Sequence, residues 1–166
     1  MIDICFLRAG PQILPASRLL YHLSLLLFIG SEVLVNAAFA PVGLAFAHAC
    51  AELVLLLLLL QLSLRFANRS ARYIQTVTAI CGTGCVLNIL LRTLITLAHI
   101  NQSSNELAQI LYFLIAGVLL WSLFVNGHIL RHTFEVRLAV GILIALAYAF
   151  AITGLILLLA HLAAGF

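Results

Sequence analysis

Three ionisable residues, Glu32, Glu52 and Arg92, stand inside long apolar stretches of this chain, and their chemistry has to be accounted for first. A charge facing lipid at depth costs on the order of several kcal/mol, so each is expected to face protein and to find a partner. Glu32 lies eight residues before Ala40, Glu52 seven after Ala45 and Arg92 eight before Ile100, which places all three roughly 11–12 Å below one surface. An arginine cannot shed its proton, whereas a carboxyl can stay neutral, so the expectation is that Arg92 pairs with one of the glutamates. Asn36 and Asn88 belong to the same polar layer. Ser24, Phe28, Glu32 and Asn36 recur at four-residue steps, as do Gly84, Asn88, Arg92 and Thr96, and His48 precedes Glu52 by one turn. The layer reads either as a clamp that fixes helix packing or as an ion, proton or polar-solute site, and the clamp is the first expectation.

A second group, Asn126, His128, Arg131, His132 and Glu135, surrounds the gap between the fourth and fifth apolar stretches. His128 and His132 share a helical face, and Glu135 would supply a third ligand if a metal or haem were held there. Beside two interfacial arginines, headgroup contact is the reading we expect, and no cofactor is predicted. His22 lies near enough in depth to enlarge the cluster. Cys5, Cys50, Cys81 and Cys85 show no C-x-x-C pattern and read as small packing residues. The sequence contains no G-x-S-x-G, H-E-x-x-H, phosphate-binding loop or dinucleotide fingerprint, so a non-enzymatic role is expected.

The elements that must position these residues are helices in a membrane. Of the 166 residues, 65% are hydrophobic and 8% charged, and mean hydropathy is +1.24, values that need lipid as the solvent for most of the surface. Five spans are expected at about 18–40, 45–64, 73–100, 107–130 and 134–163, each able to cross ~30 Å of hydrocarbon at ~1.5 Å per residue. Together, residues 18–166 make a single all-α transmembrane domain, a bundle of five helices. Residues 1–17, broken at Gly10-Pro11 and Pro15, are expected to lie at the interface, with Ser17 capping the first span. Ala38-Phe39-Ala40 resembles a signal-cleavage site, but the run before it is interrupted by Glu32 and Asn36, and we read it as a span.

Every cation is an arginine, and those outside the spans fall on alternate gaps. Arg8 and Arg18 precede span one, Arg65, Arg69 and Arg72 join spans two and three, and Arg131 and Arg137 join spans four and five. The positive-inside rule then puts the N-terminus in the cytoplasm and the C-terminus across the membrane. The net charge of +3 concerns orientation and lipid headgroups rather than nucleic acid. Arg65, Arg69, Arg72, Arg131 and Arg137 are expected to contact lipid or a partner, and bound lipids are expected. Gly141, Ala145, Ala149 and Thr153 form a small-residue ridge on span five that admits a second helix, from this chain or from another.

Three stretches, Gly10-Pro11-Gln12-Ile13-Leu14-Pro15-Ala16-Ser17, Gln75-Thr76-Val77-Thr78-Ala79-Ile80-Cys81-Gly82-Thr83 and Gly127-His128-Ile129-Leu130-Arg131-His132, resemble small uncharacterised five-span inner-membrane proteins of proteobacteria. In its topology the chain is also similar to the Yip family of membrane-trafficking proteins, although that family's acidic, Gly- and Tyr-containing signature has no counterpart here. The resemblance implies an accessory protein of a bacterial inner membrane and assigns no functional residue. The functional expectation is accordingly an accessory, assembly or scaffold subunit that binds another integral membrane protein or complex, with homo-oligomers allowed. The alternative is a small homo-oligomeric transporter or channel that uses the Glu/Arg layer.

Overall fold

The computed structural model describes residues 2–7, 10–101 and 105–164, and Arg8, expected among the charges of the lead, lies outside them. Among the described residues six α-helices follow one another: α1 (Ile2–Cys5), α2 (Arg18–Asn36), α3 (Val42–Phe66), α4 (Tyr73–Ile100), α5 (Asn105–Phe134) and α6 (Leu138–Ala164), with single 3-10 turns at Pro11–Ile13 and Ser70–Arg72. Among the described residues there is no strand. The five long helices are each long and apolar enough to cross a membrane, so the chain is an all-helical multi-pass membrane protein.

Local signals set the helix ends. Ser17 Oγ accepts a hydrogen bond from Leu20 N at 3.5 Å, the expected cap of α2. At its other end α2 stops at Asn36 rather than near residue 40, because Pro41 disfavours helical backbone before it and Ala37–Ala40 turn instead. Val42 then starts α3 three residues earlier than expected. Asn68 takes a left-handed φ of 55° after α3, and Arg69 N reaches back to Leu64 O at 2.8 Å. Glu135, at φ 54°, closes α5 in the same way, with Val136 N bonded to Arg131 O at 3.0 Å. Both ends are Schellman-type closures, and each bond satisfies a terminal carbonyl.

The five long helices pack as a ring in the order α2, α4, α5, α6, α3 and back to α2, with α3 meeting α6 more lightly than the other neighbours meet. Large apolar side chains such as Leu19, Phe66, Phe113 and Phe150 remain exposed around the outside, as a bilayer solvent permits. Within the ring, Leu60, Leu64, Val77 and Ile129 are completely buried and form a close-packed layer towards the Arg-rich loops.

The lead does more than lie on the surface. Ile4, Cys5, Pro11 and Leu14 are buried, and the segment packs against α4 and α5. Gln75 Nε2 donates to Leu14 O at 2.9 Å, and Trp121 Nε1 donates to Cys5 O at 3.1 Å. Trp121 is thirteen residues before the end of α5, about 20 Å along the helix, so α1 folds back along α5.

Candidate functional site

Residues from all five long helices line a partly open cavity of about 220 Å³ within the ring. Its polar lining consists of Glu32 on α2, Glu52 on α3, Asn88 on α4, Ser122 and Asn126 on α5, and Tyr148 on α6. Phe28, Leu87, Leu130 and Ile152 are among its apolar walls. Gly84 lies beside it: a β-carbon there would approach the Phe28 ring to 2.8 Å, so with glycine that ring lies against α4 without having to shift.

Helical spacing brings three of the expected residues together. Asn88 Nδ2 donates to Glu32 Oε1 at 2.7 Å and to Ser31 Oγ at 3.2 Å, linking α4 to α2. Asn36, one turn beyond Glu32, donates through Nδ2 to Glu32 O at 3.1 Å and to Glu32 Oε2 at 3.4 Å. Ser31 was not singled out in the sequence, although its hydroxyl, which donates to Phe28 O at 2.8 Å, completes the same small network.

Glu52 reaches the cavity from the other side. It lines a second space of about 150 Å³ as well, between α3 and α6, together with His48, Ile152 and Thr153. His48 Nδ1 lies 3.9 Å from Glu52 Oε2, so the lightly packed α3–α6 seam carries a polar pair leading to the central cavity.

Arg92 does not join this site, and the expected Arg92–glutamate pair has to be corrected. Among the described residues it forms no ion pair with Glu32 or Glu52. It lines instead a separate pocket with Ala37, Ala38, Ile95, Thr96 and His99, near the ends of α2 and α4. Asn88 is short and meets Glu32 directly, whereas Arg92, one turn further on, lines the other pocket with its Nη1 buried. The cavity lining thus contains two carboxyl groups and neither Arg nor Lys.

The group near the Arg-rich end is organised differently from the metal alternative. Arg69 Nη2 bonds Glu135 Oε2 at 2.7 Å, and Arg72 Nη2 bonds Glu135 Oε1. Arg72 Nη1 also donates to His132 O at 3.0 Å and Thr133 O at 3.2 Å, covering the terminal carbonyls of α5, where a cation complements the helix dipole. The two guanidinium groups hold the Glu135 carboxyl down at about 2, well below the usual carboxylate range. His128 and His132 do stack edge-to-face, with ring centroids 4.7 Å apart, but Glu135 is turned to the arginines. Among the described residues no group of three metal-ligating side chains assembles. His22 stays on its own helix, with Nδ1 2.7 Å from Arg18 O.

The span-five ridge is buried at its first two members and lines open space at the other two. Gly141 lies against Gly127 and Arg131 of α5, Ala145 is buried, Ala145 and Ala149 line the cavity, and Thr153 lines the α3–α6 space. Arg18, Arg65 and Arg137 stay exposed near the Arg-rich loops, and Arg131 is partly buried beside His132. Asn126, grouped by sequence with the histidines, belongs to the cavity. Its one-turn spacing from Ser122 was the available signal, while Tyr148 is marked by falling between Ala145 and Ala149 on the same face.

Comparison with family models, curated proteins and solved structures returns no match to this chain.

Proposed function

We propose that this protein binds a small cation in its central cavity and carries it across a membrane, as a transporter or channel whose site lies within a single chain. The observation that carries this reading is one space, lined by all five spans, whose lining holds both Glu32 and Glu52 and neither Arg nor Lys, with His48 beside Glu52 outside it. In a medium of low dielectric, two carboxyl groups sharing a cavity gain most from a positive occupant. The amide and hydroxyl oxygens of Asn126, Ser122 and Tyr148 add further acceptors around it. The volume is well above what one water requires, which suits a monovalent ion with part of its hydration or a small ammonium.

The His48–Glu52 pair supports entry along the α3–α6 seam, and the close-packed Leu60, Leu64, Val77 and Ile129 layer supports a barrier towards the Arg-rich loops. The positive-inside rule supports placing those loops in the cytoplasm, and a bacterial inner membrane is the setting the resemblance implies. The accessory-subunit reading draws less support, because Gly141, Arg69 and Arg72, expected on partner surfaces, make contacts inside the chain.

The test is flux. Purified protein in liposomes should release or take up sodium, potassium or methylammonium down an imposed gradient, and Glu32→Gln and Glu52→Gln should each reduce that flux at least tenfold while leaving the helical content intact. Folded wild-type protein that moves none of the three, or carboxyl variants with full flux, would return the polar layer to a packing role.

A further inference from the structure

The Arg92 pocket and the groove beside it are separate from the cavity and from the proposed transport reaction. Arg92 Nη1 is buried and has no hydrogen-bond partner among the described residues, although a guanidinium keeps its charge and its donors under all ordinary conditions. The space beside it, about 260 Å³, is lined by Thr96, His99 and the Ala37-Ala38 turn, so its mouth lies where α2 and α4 end. Ile95 and His99 also line a second, largely apolar groove of about 350 Å³ that runs between α2, α4 and α5 along Val35, Leu91, Ile115 and Leu119. Neither lining contains an acidic residue.

We infer that this composite site holds one anionic phospholipid, its phosphate on Arg92 and one acyl chain along the Val35, Leu91, Ile115 and Leu119 groove. Charge complementarity selects the head: a buried guanidinium donor without an acceptor calls for a phosphate oxygen, which forms a short, charge-assisted bond. Shape and polarity select the tail, because the groove joins the charged pocket at Ile95 and His99 and continues as hydrocarbon surface. An aqueous phosphate would satisfy Arg92 and leave the groove unused.

The experiment is native mass spectrometry of the detergent-purified protein titrated with phosphatidylglycerol and, separately, with phosphatidylcholine of the same acyl chains, alongside a thermal melt of each variant. Wild type is expected to retain phosphatidylglycerol about tenfold more tightly than phosphatidylcholine, the size of one charge-assisted hydrogen bond. Arg92→Gln should lose that preference and still bind both lipids weakly. Leu119→Trp, which fills the groove at an exposed position, should weaken both lipids while leaving Arg92 in place. Equal retention of the two lipids by wild type would overturn the assignment, as would an undiminished preference in Arg92→Gln. If Arg92→Gln does not fold, Leu119→Trp decides alone, and unchanged binding there sinks the site.

Discussion

Gly127 on α5 and Gly141 on α6 meet face to face: a β-carbon on Gly141 would collide with the Gly127 carbonyl oxygen and lie 2.9 Å from Arg131 Cβ. The reverse substitution is no easier, since a β-carbon on Gly127 would lie 2.9 Å from Ile142 Cα. Two backbones in contact leave nothing flexible to give way. Gly141→Ala is therefore expected to destabilise by about 1–3 kcal/mol, the range for overpacking, despite alanine's better helix propensity. Gly154→Ala on the same helix has open space around the new methyl and should be neutral or stabilising by up to ~1 kcal/mol. Thermal unfolding in detergent, followed by circular dichroism, separates the two.

The contrast shows where sequence reasoning about this chain succeeds. Hydropathy located all five spans because lipid demands long apolar runs irrespective of the fold, and the boundaries differ by up to four residues: α2 ends at Asn36 because the apolar Ala37–Ala40 turns before Pro41, α3 starts at Val42, α5 continues to Phe134, and α6 starts only at Leu138, after the Glu135 turn. Four-residue steps placed Glu32, Asn36 and Asn88 on meeting faces, since helical periodicity fixes direction for short side chains. Periodicity says little about where a long side chain ends, and Arg92 ends in another pocket. Nor could it foresee that Glu135 would be held by Arg69 and Arg72 from a loop 63–66 residues earlier in the chain.

Asn88 is expected to contribute to both stability and site geometry. Its Nδ2 group serves Glu32 and Ser31 across the α2–α4 interface, so Asn88→Leu leaves acceptors without their donor and should cost about 1–3 kcal/mol. In a double-mutant cycle with Glu32→Gln the two losses should be non-additive by about 0.5–3 kcal/mol, as expected for residues in contact. Strict additivity would mean that the 2.7 Å contact is not energetically coupled.

The Arg69–Glu135–Arg72 bridge predicts an acid-sensitive loop. The folded Glu135 carboxyl titrates at about 2, below its ordinary value of 4.5, so its contribution is complete above about 4.5 and is lost as pH falls towards 2. Glu135 is exposed at the membrane surface, where solvent screens the interaction, so the expected effect is small and salt-sensitive. Between pH 6 and pH 3 wild type should lose more thermal stability than Glu135→Gln, and added salt should narrow the difference. Parallel pH profiles for the two proteins would remove the bridge from the account of loop stability.

Orientation can be read from the two ends of α4. Ser70 precedes the helix among Arg65, Arg69 and Arg72, and Asn101 caps its far end, so a membrane-spanning α4 must present the two residues to opposite compartments. Arginine in the Ser70 loop favours the cytoplasm through its retention during insertion. With Cys5, Cys50, Cys81 and Cys85 replaced, Asn101→Cys should react with an impermeant maleimide on intact cells, and Ser70→Cys only after permeabilisation. The opposite pattern would invert the bundle and place the His48–Glu52 seam nearer the cytoplasmic surface. Reaction of both from one side would be incompatible with α4 as a spanning helix and with the five-helix ring built around it.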